Sequence, residues 1–389
     1  MFYLSDNEPL NMTRLSITCT GLSVLLILVI LGWTPGAAME ATNDLFPAQV
    51  AQRLDTQLAA IMQRYNLPSV AVAVEVPGKG RYTFVDGFAN LQTSARRTLD
   101  QPFRIASITK PFAATAILLL VDRGLLRKND AIAKWYPSFP NAAIITVDDL
   151  LRMRSGIPAP NDDEVLAQVY DAPLAPAPSL EAELASYAKL KKQFKPPNTF
   201  GEYTDFSYDI LGGIAQRVTG KDIGQLMTES VIVPLGLRST WYPRTTAIPS
   251  PLRGYGWNPH AKRFEDKTIF NPPLASASGA LVSTVSDLLT FSRALCHGTL
   301  LKPQTHRDQL TGQSLRETNT DYGEGVAVGD GVCGHSGTIN GFNTDMYYFT
   351  KFNASLVINV NRLDRDNRPQ TTPVLELMTK AIQTELTER

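Results

Sequence analysis

Apolar strands at both ends of the chain, with helices between them, constrain its fold more than any other feature. Near the front, Val70, Val72, Val74 and Val76 alternate with small residues, Pro77-Gly78-Lys79-Gly80 turns the chain, and residues 81–89 return as a second strand. Near the back, residues 342–350 and 354–361 read as another strand pair. A helix precedes the first pair, with Val50, Leu54, Leu58, Ile61 and Tyr65 on one face and Leu67-Pro68 as its stop. Another helix follows the last pair, with Thr372 as N-cap and Pro373 at its first position. Strands from opposite ends then share one antiparallel sheet, flanked by the N- and C-terminal helices. The predicted class is α+β, not a doubly wound parallel sheet.

The middle of the chain reads as helical. Residues 107–123 end at Gly124, and 146–154 open on Thr146-x-x-Asp149. Residues 205–219 end at Gly220, and 284–297 run from Thr284-x-x-Asp287 to Gly298. The domain of residues 45–389 is therefore expected to have an α/β part, 45–125 with 270–389, and an inserted all-helical subdomain, 126–269. The Pro/Ala-rich stretch 171–180 reads as a surface loop.

The first 38 residues read as a targeting segment. Residues 21–33 are uncharged and apolar, Arg14 precedes them, and Gly36 and Ala38 suit a signal-peptidase site. The rival reading is an uncleaved membrane anchor, since residues 15–33 nearly reach the ~20 residues a span needs. Either way the expected location of the body is the periplasm or the exterior. Cys19 lies in this leader, leaving Cys296 and Cys333, which could pair in an oxidising compartment or stay as two buried thiols. Lys+Arg and Asp+Glu both total 37, and no basic run appears, which argues against a nucleic-acid partner. His260, His297, His306 and His335 show no metal-ligand spacing, so no metal and no cofactor are expected. A monomer is the expected state.

Two Ser-x-x-Lys motifs occur, and their contexts differ. Ser186 and Lys189 lie in an amphipathic stretch, 179–192, where both would face solvent. Ser107 instead precedes Pro111, Phe112 and the apolar run 117–121, which places it at a helix N-terminus with Lys110 on the same face. There the helix dipole favours negative charge on the serine oxygen. A partly desolvated lysine amine gives up its proton more easily and can take the hydroxyl proton.

Two further motifs follow in order: Tyr203-Thr204-Asp205 before a helix, and Gly334-His335-Ser336-Gly337-Thr338 on a strand. Together with Ser107 and Lys110 they resemble the serine β-lactamase and penicillin-binding superfamily, in its class C β-lactamase and DD-carboxypeptidase branch. The resemblance spans about residues 48–388, including LRMRSG at 151–156 and YTDFSYDILG at 203–212. It implies an exported serine hydrolase that forms an acyl-enzyme on Ser107, with Lys110 and Tyr203 sharing the general-base work. It implies an oxyanion hole from the N–H groups of Ser107 and Thr338, and substrate contacts from Asp205, His335, Ser336 and Gly337. The implied substrates are D-Ala-D-Ala peptides, β-lactams, or small esters and amides. A membrane-tethered sensor that is acylated once without turnover is the alternative.

Two residues depart from the family pattern. Asp205 stands where Asn is usual, and an ionised Asp cannot donate a hydrogen bond. It should also favour the charged form of Lys110 and raise the pKa of Tyr203. His335 stands where a lysine would hold a substrate carboxylate, and at its ordinary pKa of about 6.5 the expected loss of carboxylate recognition falls near that pH. An α/β-hydrolase elbow at Gly334-His335-Ser336 fails, because position 338 is Thr and not Gly.

Overall fold

The computed structural model describes residues 43–159, 170–190, 194–315, 321–364 and 369–387. The leader, with its cleavage site and Cys19, lies outside the described residues. The front of the domain is helix α1, Ala48–Arg64, followed by β1, Ser69–Val76, β2, Gly80–Asn90, and the short β3, Ala95–Arg96. The back contributes β4, Gln313–Ser314, β5, Asp321–Tyr322, β6, Ala327–Gly329, β7, Val332–Ile339, β8, Phe342–Phe349, and β9, Ala354–Val360. These nine strands form one sheet in the order β3-β2-β1-β9-β8-β7-β6-β5-β4, with every pairing antiparallel. The first and last strands meet as expected: Val70 pairs with Val360 and Val74 with Leu356.

Alternation divides the sheet into two faces. Val70, Val72 and Val74 pack with Leu356, Ile358 and Val360 beneath α1 and α7, Thr372–Glu385. Leu54 and Leu58 of α1 are almost fully buried there, each contributing roughly 1.5–3 kcal/mol. Of the residues read as the buried stripe, Ile61 is only part-buried and Tyr65 is exposed; Ala51 and Met62 fill the face instead. The helix α7 starts one residue earlier than its sequence signal, with Thr371 as N-cap.

The opposite face of the sheet carries the helices that build the site. They are α2, Thr109–Asp122, α3, Val147–Leu151, α4, Leu180–Ala188, α5, Asp205–Thr219, and α6, Val285–His297. Local chemistry sets their ends. Thr146 and Asp149 close a reciprocal capping box on α3. Gly220 and Gly298 adopt the left-handed conformation that ends α5 and α6. The inserted part also holds a hairpin, Tyr255–Asn258 with Arg263–Asp266. Cys296 of α6 and Cys333 of β7 are joined in a disulfide that ties helix to strand. No helix among the described residues is long and apolar enough to cross a membrane.

Candidate active site

Ser107 is held by a turn that the surrounding packing dictates. Ala106–Ile108 form a 3-10 turn running directly into α2, with Pro111 in the first helical turn. Ala106 has a φ of 50°, a left-handed value that costs a non-glycine residue of order 1 kcal/mol or more. The strand β7 presses against this turn. A Cβ added to Gly337 would lie 2.3 Å from the Ile105 carbonyl oxygen and 3.1 Å from the Ala106 Cβ. Past Gly334 the ladder between β6 and β7 stops, so residues 335–339 offer a sheet edge toward Ser107. Thr338 lies on that edge.

Lys110, the second residue of α2 and one turn beyond Ser107, is fully buried, and its ammonium has three partners. Its Nζ lies 3.0 Å from Ser107 Oγ, 3.0 Å from the Ser278 carbonyl and 2.5 Å from Asp205 Oδ1. Tyr203 precedes α5, its ring centroid lies 4.8 Å from Lys110 Nζ, and its hydroxyl is coupled electrostatically to Lys110. The three motif residues converge on one point.

The electrostatics reverse one expectation. Burial works against the charged form of Lys110, but Asp205 and then Tyr203 outweigh it, so its pKa is raised and the resting amine is an ammonium. Of the two opposing effects expected from the sequence, desolvation easing proton loss and Asp205 favouring the charged form, the second prevails. Burial and the Asp205 charge raise the pKa of Tyr203 against the opposing pull of Lys110. Asp205 itself is 55% exposed, so water screens the pair from one side.

His335 is buried, and burial, then the Lys110 charge, depress its pKa to about 4. It is neutral throughout the physiological range, which corrects the expectation of a transition near pH 6.5. Its Nε2 lies 3.0 Å from the Tyr322 hydroxyl, and its Nδ1 lies 2.5 Å from the Ser336 carbonyl. Tyr322 carried no signal in the sequence, because it sits on a two-residue strand in a stretch with no clear period. The Ser278 carbonyl was equally silent, since backbone groups leave no mark on composition. By strand alternation Ser336 points to the other face of β7, where it is exposed. It does not join the cluster around Ser107.

The second Ser-x-x-Lys stands apart: Ser186 and Lys189 are both exposed at the end of α4. The other histidines are also remote, with His297 Nε2 2.5 Å from the Tyr348 hydroxyl and His306 Nε2 3.1 Å from the Leu295 carbonyl. Among the described residues no group of three or more His, Cys, Asp or Glu is placed to hold a metal ion. A cavity of about 550 Å³ opens between Lys128, Asp148, Arg152, Asn198 and Asp308, but it contains none of the motif residues. The converging side chains, not cavity size, mark the site.

The sequence model of a family described as Beta-lactamase matches residues 54–378. This chain belongs to the beta-lactamase family. It is a serine hydrolase of that family, in the superfamily of serine β-lactamases and penicillin-binding proteins. Unguisins hydrolase ungD' of Aspergillus campestris (strain IBT 28561) is 24% identical over 367 residues, covering 85% of this chain and 66% of that longer protein. Esterase EstB of Burkholderia gladioli is 26% identical over 336 residues, covering 75% of this chain and 84% of the esterase. The D-amino acid amidase of Ochrobactrum anthropi SV3, solved with L-phenylalanine amide, superimposes with a TM-score of 0.75 at 25% identity, covering 86% of this chain and 99% of the amidase.

Proposed function

We propose that this chain is an exported acyl hydrolase that forms an acyl-enzyme on Ser107 and turns over small esters or amides. The carrying observation is the contact of Ser107 Oγ with Lys110 Nζ, at 3.0 Å, beside the Tyr203 ring, whose centroid lies 4.8 Å from the same Nζ. In the form of the site whose Tyr203–Lys110 pair has lost one proton, Ser107 Oγ attacks the substrate carbonyl carbon and its proton passes to that pair. The oxygen that becomes negative is received by the N–H groups of Ser107 and Thr338, an arrangement that typically contributes several kcal/mol to the transition state. The pair then protonates the leaving alcohol or amine. A water attacks the acyl-enzyme carbonyl, gives its proton to the same pair, and releases the acid as Ser107 regains its hydrogen.

Among D-Ala-D-Ala peptides, β-lactams, esters and amides, the last two are favoured by the kinship to an esterase and to a D-amino acid amidase. Export fits the apolar leader and a disulfide that an oxidising compartment would preserve. The test is steady-state hydrolysis of p-nitrophenyl acetate, D-phenylalanine amide and benzylpenicillin by wild type and Ser107→Ala. The expected result is turnover of the ester or the amide, lost in the variant. Turnover that survives Ser107→Ala would overturn the assignment.

A further inference from the structure

Both ring nitrogens of His335 are occupied, and the partners define its protonation. The Ser336 carbonyl, 2.5 Å from Nδ1, can only accept, so Nδ1 carries a hydrogen. A neutral imidazole has one N–H, which leaves Nε2 as an acceptor. The Tyr322 hydroxyl, 3.0 Å away, therefore donates to Nε2. Tyr322 cannot easily swing off this contact. It is 3% exposed, and its ring meets Tyr203 edge-on at 6.0 Å and His335 edge-on at 5.7 Å.

The surroundings favour the same state. The charged and titratable groups facing His335 are Lys110 from α2, Asp205 from the start of α5, Tyr203 just before it, and Tyr322 from β5. Lys110 repels a second proton on the ring. Asp205 attracts one, but Asp205 is already paired with Lys110 and half open to water. The ring is therefore neutral at the pH of most assays, and it has no free N–H to offer a ligand.

We propose that Tyr322 is a positioning residue that sets specificity: by fixing His335 in its neutral Nδ1–H form, it makes the cleft select substrates with no carboxylate beside the scissile bond. This deepens the hydrolase reading of Ser107 and rests on it. A carboxylate entering here finds neither a cation nor a donor at position 335 to replace its lost hydration, whereas a neutral ester or amide gives up little. Tyr322 acts through His335 and touches no reacting atom.

The test combines a matched substrate pair with a spectroscopic reading. The pair is a depsipeptide with a free carboxylate on its leaving group and the same compound as its methyl ester. Wild type should favour the methyl ester at least tenfold in kcat/KM, with a ratio that holds from pH 5.5 to 8. Tyr322→Phe should narrow that ratio at least threefold, more at pH 5.5 than at pH 8, because the donor that occupies Nε2 is gone. In parallel, 15N NMR of the four histidines in wild type should show one ring held as the Nδ1–H form across the same range and lost in His335→Gln. A wild-type preference for the free acid, an Nε2–H ring at position 335, or a ratio unmoved by Tyr322→Phe would overturn the proposal. The Ser107 reading is separated by Ser107→Ala. If methyl-ester hydrolysis survives that change, both readings fall; if hydrolysis depends on Ser107 but the carboxylate makes no difference, only the role of Tyr322 falls.

Discussion

Lys110 Nζ sits closer to Asp205 Oδ1, at 2.5 Å, than to Ser107 Oγ, at 3.0 Å. The residue that should take the serine proton is thus held in its charged form by a carboxylate. That carboxylate also raises the pKa of Tyr203. Both effects work against a proton acceptor at rest, so activity should climb with pH as the Tyr203–Lys110 pair loses its proton. Asp205→Asn removes the charge that causes both. The expected outcome is a kcat/KM profile whose rise moves at least half a pH unit lower, with equal or higher activity at pH 7, read with a neutral ester. A rise that stays in place would mean that Asp205 does not govern the pair.

Gly337 is the point where β7 touches the nucleophile turn. A methyl group there meets the Ile105 carbonyl at 2.3 Å, backbone that cannot swing aside. Gly337→Ala should separate the strand edge from Ser107 and lower kcat at least tenfold. The melting temperature should fall by only a few degrees, consistent with an overpacking cost of about 1–3 kcal/mol. Steady-state kinetics and thermal melts on the same sample check both halves.

How much of this was legible in the sequence follows from how far each signal reaches. The helix Asp205–Thr219, the start of α3 and both ends of α6 were readable to the residue, because caps and glycines act over three or four positions; α3 ends at Leu151, short of the expected 154. The meeting of β1 with β9 followed from the apolar alternation at both ends. Tyr203, Ser107 and Lys110 were found as motifs, and the fold brings them together. The pKa direction of Lys110 was not readable as a net effect, because burial and Asp205 push it opposite ways and only geometry decides between them. Tyr322 acts from a segment with neither period nor motif, and Ser278, inside the family-like stretch 277–288, acts through a backbone carbonyl, so their roles exist only in three dimensions.

The disulfide should carry stability as well as position. It closes a sequence separation of 37 residues, for which chain entropy gives about 4 kcal/mol. Cys296→Ser with Cys333→Ser should lower the unfolding free energy in urea by roughly 2–4 kcal/mol. Because Cys333 lies two residues before His335 on β7, the same variant should lose kcat while still folded. A variant equally stable to urea would show that the bond contributes little.

Glu324 gives a stability signature in pH. It is fully buried, with one oxygen 2.8 Å from Lys128 and 2.9 Å from Arg152. Burial, reinforced by the neighbouring Asp148 carboxyl, nevertheless raises its pKa to about 7 against the pull of both cations. The folded state therefore holds a proton that the unfolded chain releases near the ordinary glutamate value of about 4.3. Its contribution is fully present below that value and is lost as pH rises through about 7. Urea titrations from pH 5 to 8 should show this decline, and Glu324→Gln should flatten it. An unchanged slope in the variant would assign the decline to other groups.

The central claim is an acyl-enzyme on Ser107, and intact-mass spectrometry over time reads it directly. Wild type quenched early with p-nitrophenyl acetate should gain one acetyl mass that maps to the peptide containing Ser107. Ser107→Ala should gain none. An adduct that persists in Ser107→Ala, or that maps to Ser336, would contradict the account.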